Sequence, residues 1–218
     1  MARRTKAEAQ ETREQILDAA EQVFHRLGVS ATALNDIAQQ AGVTRGAIYW
    51  HFKNKYDVFI AMVERHHMGH DQLFLAAGSD DEQDPLGRLR EILLGQIGEL
   101  QRDESRRRVF EICFLRCEYT AETLPLLSHR QDGFARFSTA LTRVFQRAMA
   151  LGQLPQDLSV RCAVTQLHAQ LVGLLFSWVV RPDFFDLSEH AEVLVDTFLF
   201  LLRESPELRR PALACAEV

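Results

Sequence analysis

A chain of 218 residues with 47% hydrophobic and 25% charged residues has the balance of an ordinary globular protein with a sizeable core, which excludes a disordered or low-complexity chain. Four cysteines without Cys-x-x-Cys spacing are too sparse for a disulfide scaffold. Net charge is −5, yet residues 1–55 carry 8 Lys and Arg against 6 Asp and Glu while the remainder carries 17 against 24. A mildly basic head therefore turns toward polyphosphate and an acidic body away from it.

The start of the chain, with Arg3, Arg4 and Lys6, is polar and lacks an apolar h-region, so a cytoplasmic protein is expected. From about Glu8 the pattern is helical. Ile16, Ala20, Val23, Phe24 and Leu27 form one stripe, and Gly28 stands where a glycine would end the helix. Leu34, Ile37 and Ala41 extend the same core into a second helix. Thr32 is expected to cap that helix and touch phosphate, with Asn35 or Asp36 in its first turn.

The run from Ile37 to Lys55 reads as a helix, a tight turn and a second helix. Ala38 and Ala41 permit close approach, and Gly42 supplies the turn. Val43, Ala47 and Ile48 point inward, leaving Thr44, Arg45, Tyr49 and His51 outside, so the second helix is a candidate reading head for the major groove. The candidate DNA contacts are Thr32, Thr44, Arg45, Gly46, Tyr49, His51 and Lys55. Thr44 opens a helix whose free N–H groups and dipole favour phosphate. Arg45 can make a bidentate contact with guanine, and Tyr49, His51 and Lys55 suit phosphates. Trp50 is open between packing inward and facing out.

Asn54 can cap a long fourth helix through Tyr56, Phe59, Ile60 and Val63 toward Leu73 and Phe74. After the acidic break Gly78–Pro85, helical stretches follow near 86–101, 105–118, 121–151, 158–180 and 188–203. The chain reads as all-α with about nine helices: a three-helix head at 1–55, a larger helical body at 56–210 and a flexible tail at 211–218. Cys162–Val180 is about as long as a membrane span, but Thr165, Gln166, His168, Gln170 and Ser177 interrupt it. It is read as a buried helix, with no membrane partner.

His66 and His70, with His67 and Asp71 adjacent, have metal-ligand spacing, as do Cys113 and Cys117. Neither pair has a third and fourth ligand in sequence, so the histidines read as a solvated face and the thiols as core, and no metal is expected. Arg106–Arg108 reads as a solvated charged face. With no Gly-x-Ser-x-Gly, P-loop or Gly-x-Gly-x-x-Gly, no enzyme and no cofactor are expected.

The run Ile-Ala-x-x-Ala-Gly-Val-Thr-Arg-Gly-Ala-Ile-Tyr-Trp-His-Phe-x-Asn-Lys resembles the TetR family of bacterial transcriptional regulators. The opening Ala-Arg-Arg-Thr-Lys-x-Glu-Ala-Gln-Glu-Thr-Arg, Arg-Cys-Glu-Tyr at 116–119, Gly-Gln-Leu-Pro at 152–155 and Gly173, Leu174 and Trp178 look like its AcrR and TtgR branch of multidrug efflux repressors. The chain departs from the family's pattern at Ala33, where a Thr is usual.

The resemblance implies a DNA-binding head, a ligand-binding and dimerisation body, and a homodimer on a palindromic operator. Leu171–Val180 and Val193–Leu202 are apolar on almost every face, more than one core needs. Ala169, Gly173, Val193, Phe198 and Leu201 are the interface candidates. The family's ligand cavity directs attention to Gln96, Phe110, Phe114, Phe134, Phe137, Leu141, His168, Leu171, Val172, Leu175 and Phe176, with Ser138 nearby; an aromatic stripe of this kind is equally what plain core looks like. The expected function is a repressor of a multidrug efflux operon, released by a hydrophobic or aromatic compound. The alternatives are a lipid regulator answering to acyl-CoA or fatty acid and a metal- or thiol-based sensor.

Overall fold

The computed structural model describes residues 6–67, 70–118 and 120–209. Among them are ten α-helices, two 3₁₀ turns and no strand. The helices are α1 (Lys6–Leu27), α2 (Leu34–Gln40), α3 (Arg45–His51), α4 (Lys55–His67), α5 (His70–Ala77), α6 (Pro85–Arg102), α7 (Glu104–Leu115), α8 (Leu124–Ala150), α9 (Val160–Val180) and α10 (Leu187–Glu204). The stretch read as one long fourth helix is α4 and α5, on either side of residues 68 and 69. Arg3, Arg4 and the tail at 211–218 lie outside the described residues.

The described residues group into two units, one from 1–68 and 104–131, the other from 69–103 and 132–218. By packing, α4 and α7 group with the first three helices. The first three helices do not enclose a core alone, and the first unit completes its own with α4, α7 and Leu126 of α8. Ile16, Leu17, Ala20, Val23 and Phe24 of α1 bury with Ile37 and Ile48 of the head. Val58, Phe59, Met62 and Val63 of α4 and Val109 and Ile112 of α7 close the cluster. Phe24 meets Phe59 edge-to-face at 5.7 Å.

α2 ends in a close turn that aims α3. Gly42 has φ +66°, the left-handed region a β-carbon disfavours. This lets Gly42 N–H donate to Gln39 O at 3.2 Å and Val43 N–H to Ala38 O at 3.0 Å, the paired bonds that close a helix C-terminus.

The first unit also holds a buried charge. Glu21, 3% exposed on the inner side of α1, accepts from Ser105 Oγ at 2.6 Å and Arg108 Nη1 at 2.8 Å. His66 Nε2 is 3.8 Å away. Arg65 of α4 spans Glu14, Asp18 and Glu21 at 3.3, 2.7 and 3.5 Å. Burial pushes the Glu21 carboxyl up, but bonds from His66 and Ser105 and the Arg108 charge outweigh it, holding it below the usual range.

The second unit buries Leu86, Leu89, Ile92, Leu93, Leu141, Phe145, Leu167, Trp178, Val195 and Phe198. Arg90 of α6 grips Asp196 of α10 through two bonds of 2.5 and 2.9 Å. A β-carbon at Gly78 would stand 2.9 Å from Arg143 Cβ, so the chain after α5 passes close against α8. The reading of Cys162–Val180 as a buried helix needs correction. α9 is long and apolar enough to cross a membrane by length and composition, but it buries one face only. Ala163, Val164, Leu167, Leu171, Trp178 and Val179 face in, while Cys162, Thr165, Ala169, Gly173, Phe176 and Val180 stay exposed.

Glu21→Gln keeps the size and removes the charge. Because the folded pKa is depressed, the carboxylate contributes stability above its unfolded pKa, about 4.3, and loses it as pH falls through the folded one. Urea unfolding at about pH 7 should show a loss of about 1–3 kcal/mol, less than for a wholly dry pair since both arginines keep some water. The loss should shrink toward about pH 4; an equal loss at both pH values would contradict this account.

Candidate nucleic-acid interface and effector site

α3 is seven residues long and opens on Thr44, whose Oγ1 accepts from Ala47 N–H at 3.2 Å. Ile48 and Phe52 are buried and fix the helix to the core, while Thr44, Arg45, Gly46, Tyr49 and Trp50 are exposed and His51 is half-buried. Arg45 Nη2 donates to Tyr49 Oη at 2.9 Å and its guanidinium lies 5.4 Å from the ring centroid. The pair thus presents one planar, cationic edge. Trp50 does not pack inward: it is 72% exposed, with its ring edge-on to His51 at 4.5 Å.

Two residues at the rim behave differently from the rest. Thr32 is 2% exposed and its Oγ1 donates to Gly28 O at 2.7 Å, so it supplies neither the expected cap nor a phosphate contact. The N-cap of α2 is Ala33 itself, whose N–H donates to Asp36 Oδ2 at 2.8 Å. Lys55 Nζ donates to the carbonyl oxygens of Ser30 and Thr32 at 2.7 and 3.0 Å. Asn54 Oδ1 caps α4, accepting from Tyr56 and Asp57 N–H at 2.8 and 3.0 Å.

The candidate effector residues divide between the units. Phe110 and Phe114 belong to the first, with centroids 5.2 Å apart. In the second, His168 gathers Phe134 at 4.4 Å and Phe137 at 6.1 Å, and Phe137 stands edge-on to Phe74 at 5.3 Å. Leu141 and Leu171 are buried, and Val172 and Leu175 half-buried. Gln96 Nε2, Ser138 Oγ and Gln170 Oε1 are buried without a hydrogen-bond partner. A buried polar atom without a partner costs about 1–3 kcal/mol, which makes these three the polar candidates for an effector contact. In the sequence Gln170 stood out only as a polar interruption of the apolar run, and nothing there marked it as facing inward.

Two aromatic assignments change. Phe198, read as interface, is fully buried against Phe145 at 6.3 Å. Phe176, read as effector-lining, lies on the exposed face of α9 with Ala169, Gly173 and Val180. Val193 and Phe200 are 64% and 60% exposed on α10, with Leu201 half-buried. α9 and α10 pack together and share a two-helix apolar surface.

These features have counterparts in known proteins. Residues 16–62 match the bacterial regulatory proteins of the tetR family, and residues 84–204, more than half of the chain, match the C-terminal region of the MAATS-type transcriptional repressors. The chain is 44% identical over 210 residues to the HTH-type transcriptional regulator TtgR of Pseudomonas putida, covering 96% of this chain and 100% of that one. The protein belongs to the TetR family. AcrR of Shigella flexneri, another HTH-type transcriptional regulator, is 38% identical over 97% of this chain and 99% of its own. Among solved structures, SmeT in complex with triclosan aligns with a TM-score of 0.84 at 36% identity, over 96% of this chain and 99% of that one. SmeT is the repressor of the Stenotrophomonas maltophilia multidrug efflux pump SmeDEF.

The remaining titratable groups that the structure describes in this TetR-family regulator are bonded within the first unit. His66 points at Glu21 and Ser105, and the side chains of His67 and His70 lie outside the described residues. Among the described residues, no three His, Cys, Asp or Glu are grouped to hold a metal. Arg107 pairs with Glu111 at 3.8 Å and Arg108 with Glu21 and Glu104, both at 2.8 Å. Cys113 packs against the first core, and burial pushes its thiol up to about 12. The thiolate fraction near neutral pH is then on the order of 10⁻⁵. Iodoacetamide on the folded protein, followed by peptide mass mapping, should label the exposed Cys162 and leave Cys113 intact. Labelling of both at one rate would restore a thiol sensor.

Proposed function

We propose that the protein is a homodimeric repressor that binds a palindromic operator and is released by a hydrophobic or aromatic compound, controlling a multidrug efflux operon in the cytoplasm. The observation that carries it is the exposed row on α3, Thr44, Arg45, Gly46 and Tyr49, held by the buried Ile48 and Phe52. Arg45 reads a base edge, and Thr44, Tyr49 and His51 hold phosphates. One such helix covers few base pairs, and a two-fold pair of heads is the usual solution. Ala169, Gly173, Phe176, Val180, Val193, Phe200 and Leu201 provide the apolar surface for it, as a four-helix interface.

The effector site belongs to the second unit, around Phe134, Phe137 and His168 with Gln96, Ser138 and Gln170 as polar partners. SmeT, a solved relative, is a pump repressor with triclosan bound, which supports an aromatic effector and an efflux operon. A lipid regulator answering to acyl-CoA needs basic residues for the phosphates. Arg107 and Arg108 are already paired with carboxylates. The effector must bind the DNA-incompetent state more tightly, since equal affinity for both shifts nothing.

The direct test is fluorescence anisotropy on the DNA upstream of the protein's own gene, with and without a panel of hydrophobic antimicrobials including triclosan. Arg45→Ala should reduce discrimination between operator and random DNA by about 1–3 kcal/mol. An equal loss on both DNAs would remove Arg45 from base reading. In sedimentation velocity Phe200→Glu should give a monomer. Phe198→Ala should remain a dimer while losing about 3–5 kcal/mol of stability; the reverse pattern would reassign the interface.

A further inference from the structure

The partners of the buried Glu21 carboxylate stand where the chain passes between the two units. The chain leaves the first unit after residue 68 and re-enters it at residue 104. Arg65 and His66 lie at the end of α4, just before the first of these passages, and Ser105 and Arg108 lie near the start of α7, just after the second. Glu21 divides its two oxygens among them. Oε1 accepts from Arg108 Nη1 at 2.8 Å, while Oε2 accepts from Ser105 Oγ at 2.6 Å and from Arg65 Nη2 at 3.5 Å. His66 Nε2 is 3.8 Å from the same Oε2 and 3.3 Å from Ser105 Oγ, so α4 and α7 meet over one oxygen.

We infer that Glu21 is the positioning residue through which a displacement of either passage reaches the DNA-binding helices. A buried ion cannot give up its partners on one side without being left uncompensated in a poor solvent. α1 therefore follows a movement of α4 or α7 instead of absorbing it. α2 and α3 follow α1, because Ile16, Ala20 and Phe24 are buried in one cluster with Ile37 and Ile48. The third passage, after residue 131, lies within α8 and takes no part in these bonds. This role for Glu21 rests on the reading of the protein as a repressor released by an effector in the second unit.

A residue that transmits differs from one that only stabilises in the coupling between effector and operator. Operator anisotropy with and without triclosan is compared for wild type, Glu21→Gln and Ile16→Val, the last of which thins the same core without touching the charge. The coupling factor, operator Kd with triclosan over that without, should be about tenfold or more in wild type. Glu21→Gln should bring it within about twofold of unity, with triclosan affinity by Trp178 fluorescence changed less than about threefold. Ile16→Val should keep the wild-type factor. Coupling retained in Glu21→Gln means that α8 or another route carries the signal, and overturns the assignment. Loss in both variants assigns the effect to lowered stability and overturns it equally. If Glu21→Gln does not fold, Arg65→Met, which frees α4 and leaves Ser105 and Arg108 on the carboxylate, should lower the factor by about threefold or more; an unchanged factor overturns the assignment.

Wild-type protein that keeps its operator against triclosan and the rest of the panel refutes instead the effector part of the proposed function. Hydrogen exchange of the free protein then decides whether Glu21 fastens the three helices, with neither ligand nor DNA. Amides of residues 18–24, 60–66 and 108–114 should open in one step with equal dependence on urea in wild type. In Glu21→Gln or Arg65→Met the α4 amides should open separately and sooner, while those of α3 keep their rate. Separate opening of the three stretches in wild type overturns the assignment.

Discussion

A buried carboxylate with three helices around it governs how the first unit can move. Glu21 on α1 is held by Ser105 and Arg108 of α7 and faced by Arg65 and His66 of α4. A charge removed from water must keep its partners, because losing one leaves an uncompensated ion in a poor solvent. The three helices therefore share one spacing where they meet. The hydrophobic contacts around it, Phe24 on Phe59 among them, fill space and tolerate small slips that the charge does not. A tilt of α4 alone would pull Arg65 and His66 away from Glu21. α1 through α4 and α7 are better treated as a block whose movement carries the reading helix with it.

What was legible in the sequence was what depends on neighbours in the chain. Gly42, the small residues ahead of it and the inward spacing of Val43, Ala47 and Ile48 specify the turn and the outer face of α3 without reference to the rest of the fold. Thr32 was misread because a threonine beside a helix start is a good cap in general; here its hydroxyl turns back to Gly28 O and the chain enters α2 one residue later. Phe176 and Phe198 were misplaced for different reasons. α9 is apolar on nearly every face, so hydrophobicity carries little phase there, whereas α10 is amphipathic and its inward side is the one that packs Phe198 on Phe145. Glu21 was invisible because its partners lie some 44 and 87 positions away. The available signal was a carboxylate directly after Ala20, on the buried side of an amphipathic helix.

The second unit is most informative where it is incomplete. Gln96, Ser138 and Gln170 hold buried polar atoms without partners, and Phe176, Val180, Val193 and Phe200 expose large apolar groups. Native chains rarely retain either kind of defect without use. The two defects ask for different occupants: the first for a small molecule with hydrogen-bonding groups, the second for a broad apolar surface such as a second copy of the same helices.

Both demands converge on α9. Its inner side contributes His168 and Leu171 beside Phe134 and Phe137, and its outer side contributes Ala169, Gly173 and Phe176. A rigid helix cannot rotate toward one occupant without turning relative to the other, and close-packed interfaces respond by shifting between discrete arrangements instead of stretching. If the proposed effector site and dimer surface hold, they are linked through a single element, and linkage is reciprocal: whatever the effector does to the pairing of two copies, the pairing does to effector affinity. On the proposed reading, an effector that prefers one setting of α9 acts on the pairing without touching any residue proposed to contact DNA.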